Sequence, residues 1–363
     1  MSRKELIKTP FCLLLTMSKE KKQTKISEIG EFGLIDRLTQ HIQLKNKSTL
    51  KGVGDDAAVL NYDDKCVVFS TDLLTEGVHF NLMYVPLKHL GYKSVIVNLS
   101  DIYAMNAHPK QITVNLAISS KFSVEAVEEL YSGIYLACEN YGVDLIGGDT
   151  TSSLTGLTIS ISALGEARPE NLVYRNGAKP DDILCVSGDL GGAYMGLQLL
   201  ERENAVFKVN PNEQPKLEGY DYILGRQLKP EARGDVVNVF EKLQIKPTSM
   251  IDISDGLSSE ILHLCKNSKV GCNLFEEKVP MDLQTKKMAE ELNINPLVAA
   301  LNGGEDYELL FTLSPEDAEK LKNDPDFTVI GEITEAAEGA NLMTTGGSKI
   351  ELQAQGWEHG RSL

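Results

Sequence analysis

Nine carboxylates stand in short Gly- or Ser-rich strings that interrupt apolar runs. They are Asp55 and Asp56 in GVGDD at 52–56, Asp72 in STD at 70–72, Asp101 in NLSD at 98–101, Asp149 in GGDTT at 147–151, Asp252 and Asp255 in DISDG at 252–256, and Glu305 and Asp306 in GGEDY at 303–307. Read singly, each has an ordinary role: an Asp after a strand serves as a turn or helix N-cap residue. Asp101 is harder to place that way. It stands in a largely apolar helical run, where an unpaired carboxylate costs several kcal/mol. It needs a cation or hydrogen-bond donors, and Asn98, three residues earlier, shares its helical face.

Read together, the acids are oxygen ligands for a hard cation. Magnesium takes one or two carboxylates, water and substrate phosphate. If the acids converge, their repulsion raises their pKa values unless cations neutralise them. With six histidines and no H-E-x-x-H, zinc is a poor candidate. There is no G-x-x-x-x-G-K-[ST] and no protein-kinase signature set. Phosphates would have to be held by Gly-rich turns exposing backbone N–H groups, with magnesium bridging acidic protein to anionic phosphate.

Positioning these residues requires alternating strands and helices. Runs rich in β-branched and apolar residues predict strands at 66–70, 112–118, 143–146 and 157–164, then at 183–186, 250–253 and 307–313. Helices are expected at 86–105 and at 124–141, the second with Ser123 as N-cap and Gly142 at its end. Val124, Val127, Tyr131, Ile134 and Cys138 supply its helical spacing. Further helices are expected near 194–200, at 257–265, and after Ser314 with Pro315 at N1. Residues 201–220 read as a polar surface loop. A turn-rich stretch at 167–182 marks a boundary between two α/β domains, 26–168 and 169–363.

The whole chain permits this. It has 363 residues, 42% hydrophobic and 24% charged, enough for two ordinary domains. Its net charge of −16 argues against a nucleic-acid partner. No apolar run is long enough to span a bilayer, so no membrane role is expected. Six dispersed cysteines without a C-x-x-C pair fit a reducing, cytoplasmic compartment. Residues 1–25 are expected to be a disordered, dispensable extension, with Met17 a possible start.

The ordered series GEFGLI at 30–35, GVGDD at 52–56, STDLLTEGVHF at 70–80, VNLSDIYAM at 97–105, LIGGDTT at 145–151, YRNGAKPDD at 174–182, IDISDGL at 251–257 and NGGEDYEL at 302–309 resembles the thiamine-monophosphate kinases. The resemblance runs from about residue 26 to 359 and rests on eight motifs in order. It implies the two-domain α/β fold shared with aminoimidazole ribonucleotide synthetase, with N-domain strands pairing across a homodimer. It implies direct phosphoryl transfer from ATP to thiamine monophosphate, assisted by more than one Mg2+ ion. Metal ligands carried over by motif are Asp56, Ser70, Thr71, Asp72, Asp101, Asp149, Asp252 and Asp255, with Asp72, Asp149 and Asp252 central to catalysis. ATP contacts fall on Gly148, Asp149, Arg175, Ser254 and Tyr131, and substrate contacts on His79, Glu305 and Trp357. The residues alone allow plainer roles: a solvated loop for Arg175, a C-terminal core anchor for Trp357, a turn for His79 or Glu305.

Two positions depart from the family pattern. Asn106 stands where glycine often follows Ala-Met, and Gly360 replaces the usual terminal aromatic. Competing functions are a sister enzyme of the same fold, such as selenophosphate synthetase or a purine-precursor ligase, and a non-catalytic nucleotide- or metal-binding module. Selenophosphate synthetase would show a reactive Cys or selenocysteine and a Lys near its N-terminus, and Cys12 is in the wrong setting.

Overall fold

The computed structural model describes residues 47–52 and 54–355, together with Gly33 and Thr39. The chain divides into two compact units, Met1–Gln43 with Glu358–Leu363, and Leu44–Trp357. The second unit carries both sheets. The expected extension at 1–25, Trp357 and Gly360 lie outside the described residues.

Two sheets form this unit. The first comprises β1 (Thr49–Lys51), β2 (Ala58–Tyr62), β3 (Lys65–Thr75), β4 (His108–Ser119), β5 (Asp144–Ser153) and β6 (Thr158–Ala167), in the order β1-β2-β3-β6-β4-β5. The second comprises β7 (Ile183–Ser187), β8 (Ser249–Asp252), β9 (Gly271–Phe275), β10 (Leu309–Leu313), β11 (Phe327–Thr334), β12 (Ala340–Met343) and β13 (Lys349–Glu351), in the order β13-β12-β9-β11-β7-β10-β8. All seven strand runs expected from composition are present. Several are longer than expected, and β5 runs straight through the Gly-Gly-Asp string that reads as a turn.

Helix α1 (Leu87–Ala104) organises the unit. It packs on β3, β4 and β6 on one side and reaches β8 of the second sheet on the other. Consequently almost every residue from Leu90 to Ala104 is buried, polar ones included. Its apolar residues are distributed around the whole helix and leave no continuous polar face for solvent, as expected of a helix inside a protein. It ends where Asn106 adopts φ 54°, in the left-handed region. Asparagine tolerates this conformation better than other non-glycine residues. That explains why the departure from glycine is accommodated, and the Asn106 amide donates to Asn171 O at 2.8 Å.

Helix α2 (Val124–Tyr141) is the crossover joining β4 to β5, which pair in parallel. Its caps are as expected: Ser123 Oγ accepts from the Ala126 amide at 3.2 Å, and Gly142 takes a left-handed conformation. The two helices touch through their backbones. A Cβ on Gly133 would lie 1.8 Å from Lys88 O, and one on Gly91 would lie 1.9 Å from Leu130 O. Neither carbonyl can move without breaking its own helix. Gly133→Ala is therefore expected to destabilise the fold by about 3 kcal/mol, read as a lowered denaturant midpoint. An unchanged midpoint would mean the helices are not held this closely.

The chain between the sheets' strands supplies α3 (Gly192–Val209), α4 (Asp221–Leu228), α5 (Gly234–Leu243) and α6 (Leu257–Ser268). The polar stretch expected as a loop from 201 is helical through Val209. Glu203 and Asn204 are buried there, and Glu203 accepts from the Lys216 amide at 2.8 Å. Local polarity misleads at this point because a tertiary partner satisfies the buried acid. Among the described residues no helix is long and apolar enough to cross a membrane, and five cysteines are buried free thiols.

Candidate active site

The buried helix α1 builds the site by presenting polar side chains to two strands. Asn98 Oδ1 accepts from the Asp72 amide at 3.1 Å on β3, while Asn98 Nδ2 donates to Ser94 O at 3.0 Å. The Ser70 hydroxyl on β3 donates to the Asp101 carboxylate. Ser100 Oγ donates to Asp252 Oδ2 at 2.5 Å, at the end of β8. The expected Asn98–Asp101 partnership on one helical face is therefore replaced by separate bonds to β3.

These bonds draw acids together. One carboxylate oxygen from each of Asp56, Asp101 and Asp252 lies within 4.8 Å of the other two. Arg175 holds Asp56 through its guanidinium fork, with Nε–Oδ2 at 2.8 Å and Nη2–Oδ1 at 3.0 Å. Its backbone amide donates to Asp55 Oδ1 at 3.0 Å, and Lys51 Nζ lies 3.2 Å from Asp55 Oδ2. Arg175 is thus a partner of the acids, not a solvated loop residue.

The cluster is electrostatically unbalanced. Burial pushes the Asp72 carboxyl up to about 6. Burial, then the charge of Asp56, carries Asp252 up to about 8, against opposing help from Ser100 and Arg175. Asp101 is raised well above the ordinary carboxylate range by burial and by Asp72, Asp252 and Asp56. One Arg cannot neutralise four close acids. Buried oxygen donors carrying excess negative charge suit a hard divalent cation, and the donor set fits magnesium.

The other expected site residues are spread more widely. Thr71 alternates to the opposite face of β3 from Ser70 and Asp72. Its hydroxyl donates to Ile161 O at 3.0 Å and accepts from Ser162 Oγ at 3.0 Å. Asp149 is exposed on β5, where its Oδ1 accepts from the Thr150 amide at 2.9 Å. Strands β6 and β4 separate it from β3, a distance of about 14 Å at normal strand spacing. Gly148 is required by close approach, since a Cβ there would lie 1.8 Å from Val114 O. Tyr131 is half-buried on α2, its ring centroid 5.8 Å from that of Tyr135. His79 Nδ1 accepts from the Thr75 amide at 3.0 Å, closing a turn.

Around Asp255 the structure differs from the capping reading. Gly256 is the N-cap residue of α6, and the Asp255 amide donates to Glu260 Oε1 at 3.0 Å. Ser254 is exposed, and its carbonyl accepts the Glu305 amide at 2.7 Å. Glu305 Oε1 pairs with Lys93 Nζ at 2.9 Å, and Oε2 accepts from Gln227 Nε2 at 3.1 Å. Asp306, beside it, is turned into the protein. It accepts from the Gly191 amide at 2.8 Å at the start of α3, and burial lifts its carboxyl to about 7. Glu308 is likewise internal, taking Arg226 Nη1 at 2.7 Å and the Arg233 guanidinium.

Motif reading missed Lys93, Asn98 as a ligand of the Asp72 amide, Ser100 and Gln227. For the first three a signal existed: polar residues in a helix too apolar to have a solvent face. Gln227 had none.

A two-sheet α/β unit in which a buried helix draws Asp56, Asp72, Asp101 and Asp252 together defines an α/β class of protein with an acidic cluster suited to a hard cation. The AIR synthase related protein, N-terminal domain family matches residues 54–167. The chain is 36% identical to the thiamine-monophosphate kinase of Aquifex aeolicus (strain VF5) over 335 residues, covering 92% of this chain and 99% of that protein. It is 32% identical to that of Bacillus subtilis (strain 168) over 340 residues, covering 91% and 99%. A solved structure described as AaThiL complexed with AMPPCP and TMP superposes with a TM-score of 0.80 at 34% identity, covering 93% of this chain and 99% of that one. The chain belongs to the thiamine-monophosphate kinase family.

Proposed function

We propose that this protein transfers the terminal phosphoryl group of ATP directly to the phosphate of thiamine monophosphate, giving thiamine diphosphate and ADP. The observation that carries this reading is the cluster of buried Asp56 and Asp252 with half-buried Asp101, and Asp72 beside it. Its support from relatives is the solved family structure named for a complex with AMPPCP and TMP.

Asp56, Asp72, Asp101 and Asp252 would hold magnesium, more than one ion being accommodated by the additional acids Asp149 and Asp255. Magnesium, when bound, neutralises charge on the transferring phosphoryl group. Ser70 and Ser100 fix the carboxylates they donate to, so little side-chain reorganisation is left for the reaction. Arg175 screens Asp56 and can offer its remaining guanidinium edge to phosphate. Glu305 and His79 stand as contacts for the thiamine moiety, and Gly148, Asp149, Ser254 and Tyr131 as contacts for ATP. No general base is needed, because the acceptor oxygen is already anionic.

A homodimer belongs to the same reading. Phe69 and Leu73 project from one face of β3 and are 36% and 58% exposed, a pair of apolar side chains that a second copy's strands would cover. A molecular mass measured in solution tests this. A cytoplasmic location accords with the buried free thiols.

The deciding experiment is chromatographic detection of products from purified protein, ATP, magnesium and thiamine monophosphate. Equimolar thiamine diphosphate and ADP, absent with free thiamine or excess chelator, is the expected result. Folded, ATP-binding protein that yields no product would move the assignment to a sister enzyme of the same fold.

A further inference from the structure

Glu305 is held in an unusual way. Its backbone has φ 58°, and two residues later Tyr307 has φ 52°. Non-glycine residues in this region carry a cost of roughly 1 kcal/mol or more each, so the surroundings must impose the conformation. Two backbone bonds do so, from the Glu305 amide to Ser254 O at 2.7 Å and from the Tyr307 amide to Ile253 O at 2.9 Å. Both acceptors directly follow Asp252. The segment carrying Glu305 is thereby fastened to the strand end that carries an acid of the metal cluster.

The side chain is fixed as firmly as the backbone. Lys93 stands in the middle of buried α1, its side chain only 6% exposed, while that of Glu305 is 30% exposed. Its ammonium lies 2.9 Å from Glu305 Oε1 and donates to Gln227 O at 3.1 Å. Gln227, on α4, donates its amide to the other carboxylate oxygen at 3.1 Å, while its own Oε1 is buried without a partner. Gln227 thus places its donor on Glu305 while its own acceptor has no protein partner. A carboxylate has about four acceptor positions. One on each oxygen is used by the protein, and the solvent-facing remainder stays available in a single orientation.

We infer that Lys93 and Gln227 are positioning residues that lock the Glu305 carboxylate, as an anion and in one rotamer, to accept an N–H donor on the heterocyclic part of the phosphorylated substrate. The inference rests on the reading of Glu305 as a substrate contact. It adds the specificity element: a pre-oriented anion that selects for a nitrogen donor remote from the phosphate.

The test is steady-state kinetics on Lys93→Met, Lys93→Arg, Gln227→Met and Glu305→Gln, with thermal stability measured for each. Lys93→Met and Glu305→Gln are expected to raise KM for thiamine monophosphate by about 10-fold to 100-fold, as for loss of a charge-assisted hydrogen bond. Turnover and KM for ATP should stay within about twofold, the pattern of lost uniform binding. Lys93→Arg should recover most of the loss. Gln227→Met should raise KM for thiamine monophosphate without lowering stability, since it also removes an unsatisfied acceptor. It carries the test if Lys93→Met does not fold. If Glu305→Gln raises KM while Gln227→Met and any folded Lys93 variant keep the parental value, the positioning role is overturned and the substrate contact stands. A parental KM in Glu305→Gln overturns the substrate contact itself, and the inference with it.

Discussion

Asp252→Asn is expected to lower turnover by a factor of about 1,000 while leaving the metal-free protein at least as stable as the parent. Asparagine keeps the size of the side chain and one carbonyl oxygen, so the Ser100 hydroxyl retains an acceptor. What disappears is an acid whose carboxyl is already pushed up to about 8 by burial and by Asp56, so that ionising it in the metal-free fold is costly. Removing it spares the fold that cost beside Asp56, Asp72 and Asp101. The same charge is what the proposed metal site needs, so function and stability move in opposite directions. Calorimetry in excess chelator and turnover at saturating magnesium measure the two effects separately. Turnover within about tenfold of the parent would remove Asp252 from the metal site. Lost turnover together with a lowered melting temperature would mean that Asp252 is chiefly a structural partner of Ser100.

The contrast between Asp252 and Asp306 shows how far residue patterns reach. Both are acids beside predicted strands, and both are fully internal. Asp252 meets other acids, whereas Asp306 turns to the start of α3 and Arg226. Nothing in the local strings separates these outcomes, because the partners lie on elements far away in the chain. Strand and helix identities were more accessible. Helix α1, the caps of α2 and Ser314 as the N-cap at 315–321 follow from local chemistry and are found. Errors occur where tertiary contacts override local preference. Strand β5 crosses its Gly-Gly-Asp string because Gly148 must abut Val114, and α3 persists past 201 because Glu203 is satisfied by a distant amide.

The same logic explains why the site centres on α1. A motif search sees Asp101 and its neighbours as a string. In the fold they form a polar ridge on a helix with no exposed face. Lys93 reaches Glu305, Asn98 reaches the Asp72 amide, and Ser100 reaches Asp252. The acids of one sheet and the loop ends of the other are thus indexed to a single rigid element. Rigid placement is what phosphoryl transfer between two anions requires, since positioning and charge neutralisation supply most of the catalysis.

Magnesium should invert the pH dependence of stability. In the metal-free protein the carboxyls of Asp72 and Asp252 titrate near about 6 and about 8, above their ordinary value of 3.8. Asp306 adds a third, lifted to about 7. Between the ordinary and raised values the folded chain binds more protons than the unfolded one, so stability falls as pH rises. The stabilisation is complete below about pH 4 and is lost as pH climbs through the folded pKa values. From about pH 6 to about pH 9 the loss is roughly 3 kcal/mol from Asp72 and Asp252 and about 1 kcal/mol more from Asp306, several degrees in melting temperature. A divalent cation binds the deprotonated acids, so its stabilising effect grows over the same interval. Melting curves with chelator should therefore shift downward with rising pH, and curves with saturating magnesium should stay level or shift upward. Asp306 does not belong to the cluster, so its share of the slope should persist in both series. Identical pH profiles with and without magnesium would show that the acids of the cluster do not take the ion. A chelated protein that instead grows more stable toward about pH 9 would show that these carboxylates are already neutralised by the chain's own donors.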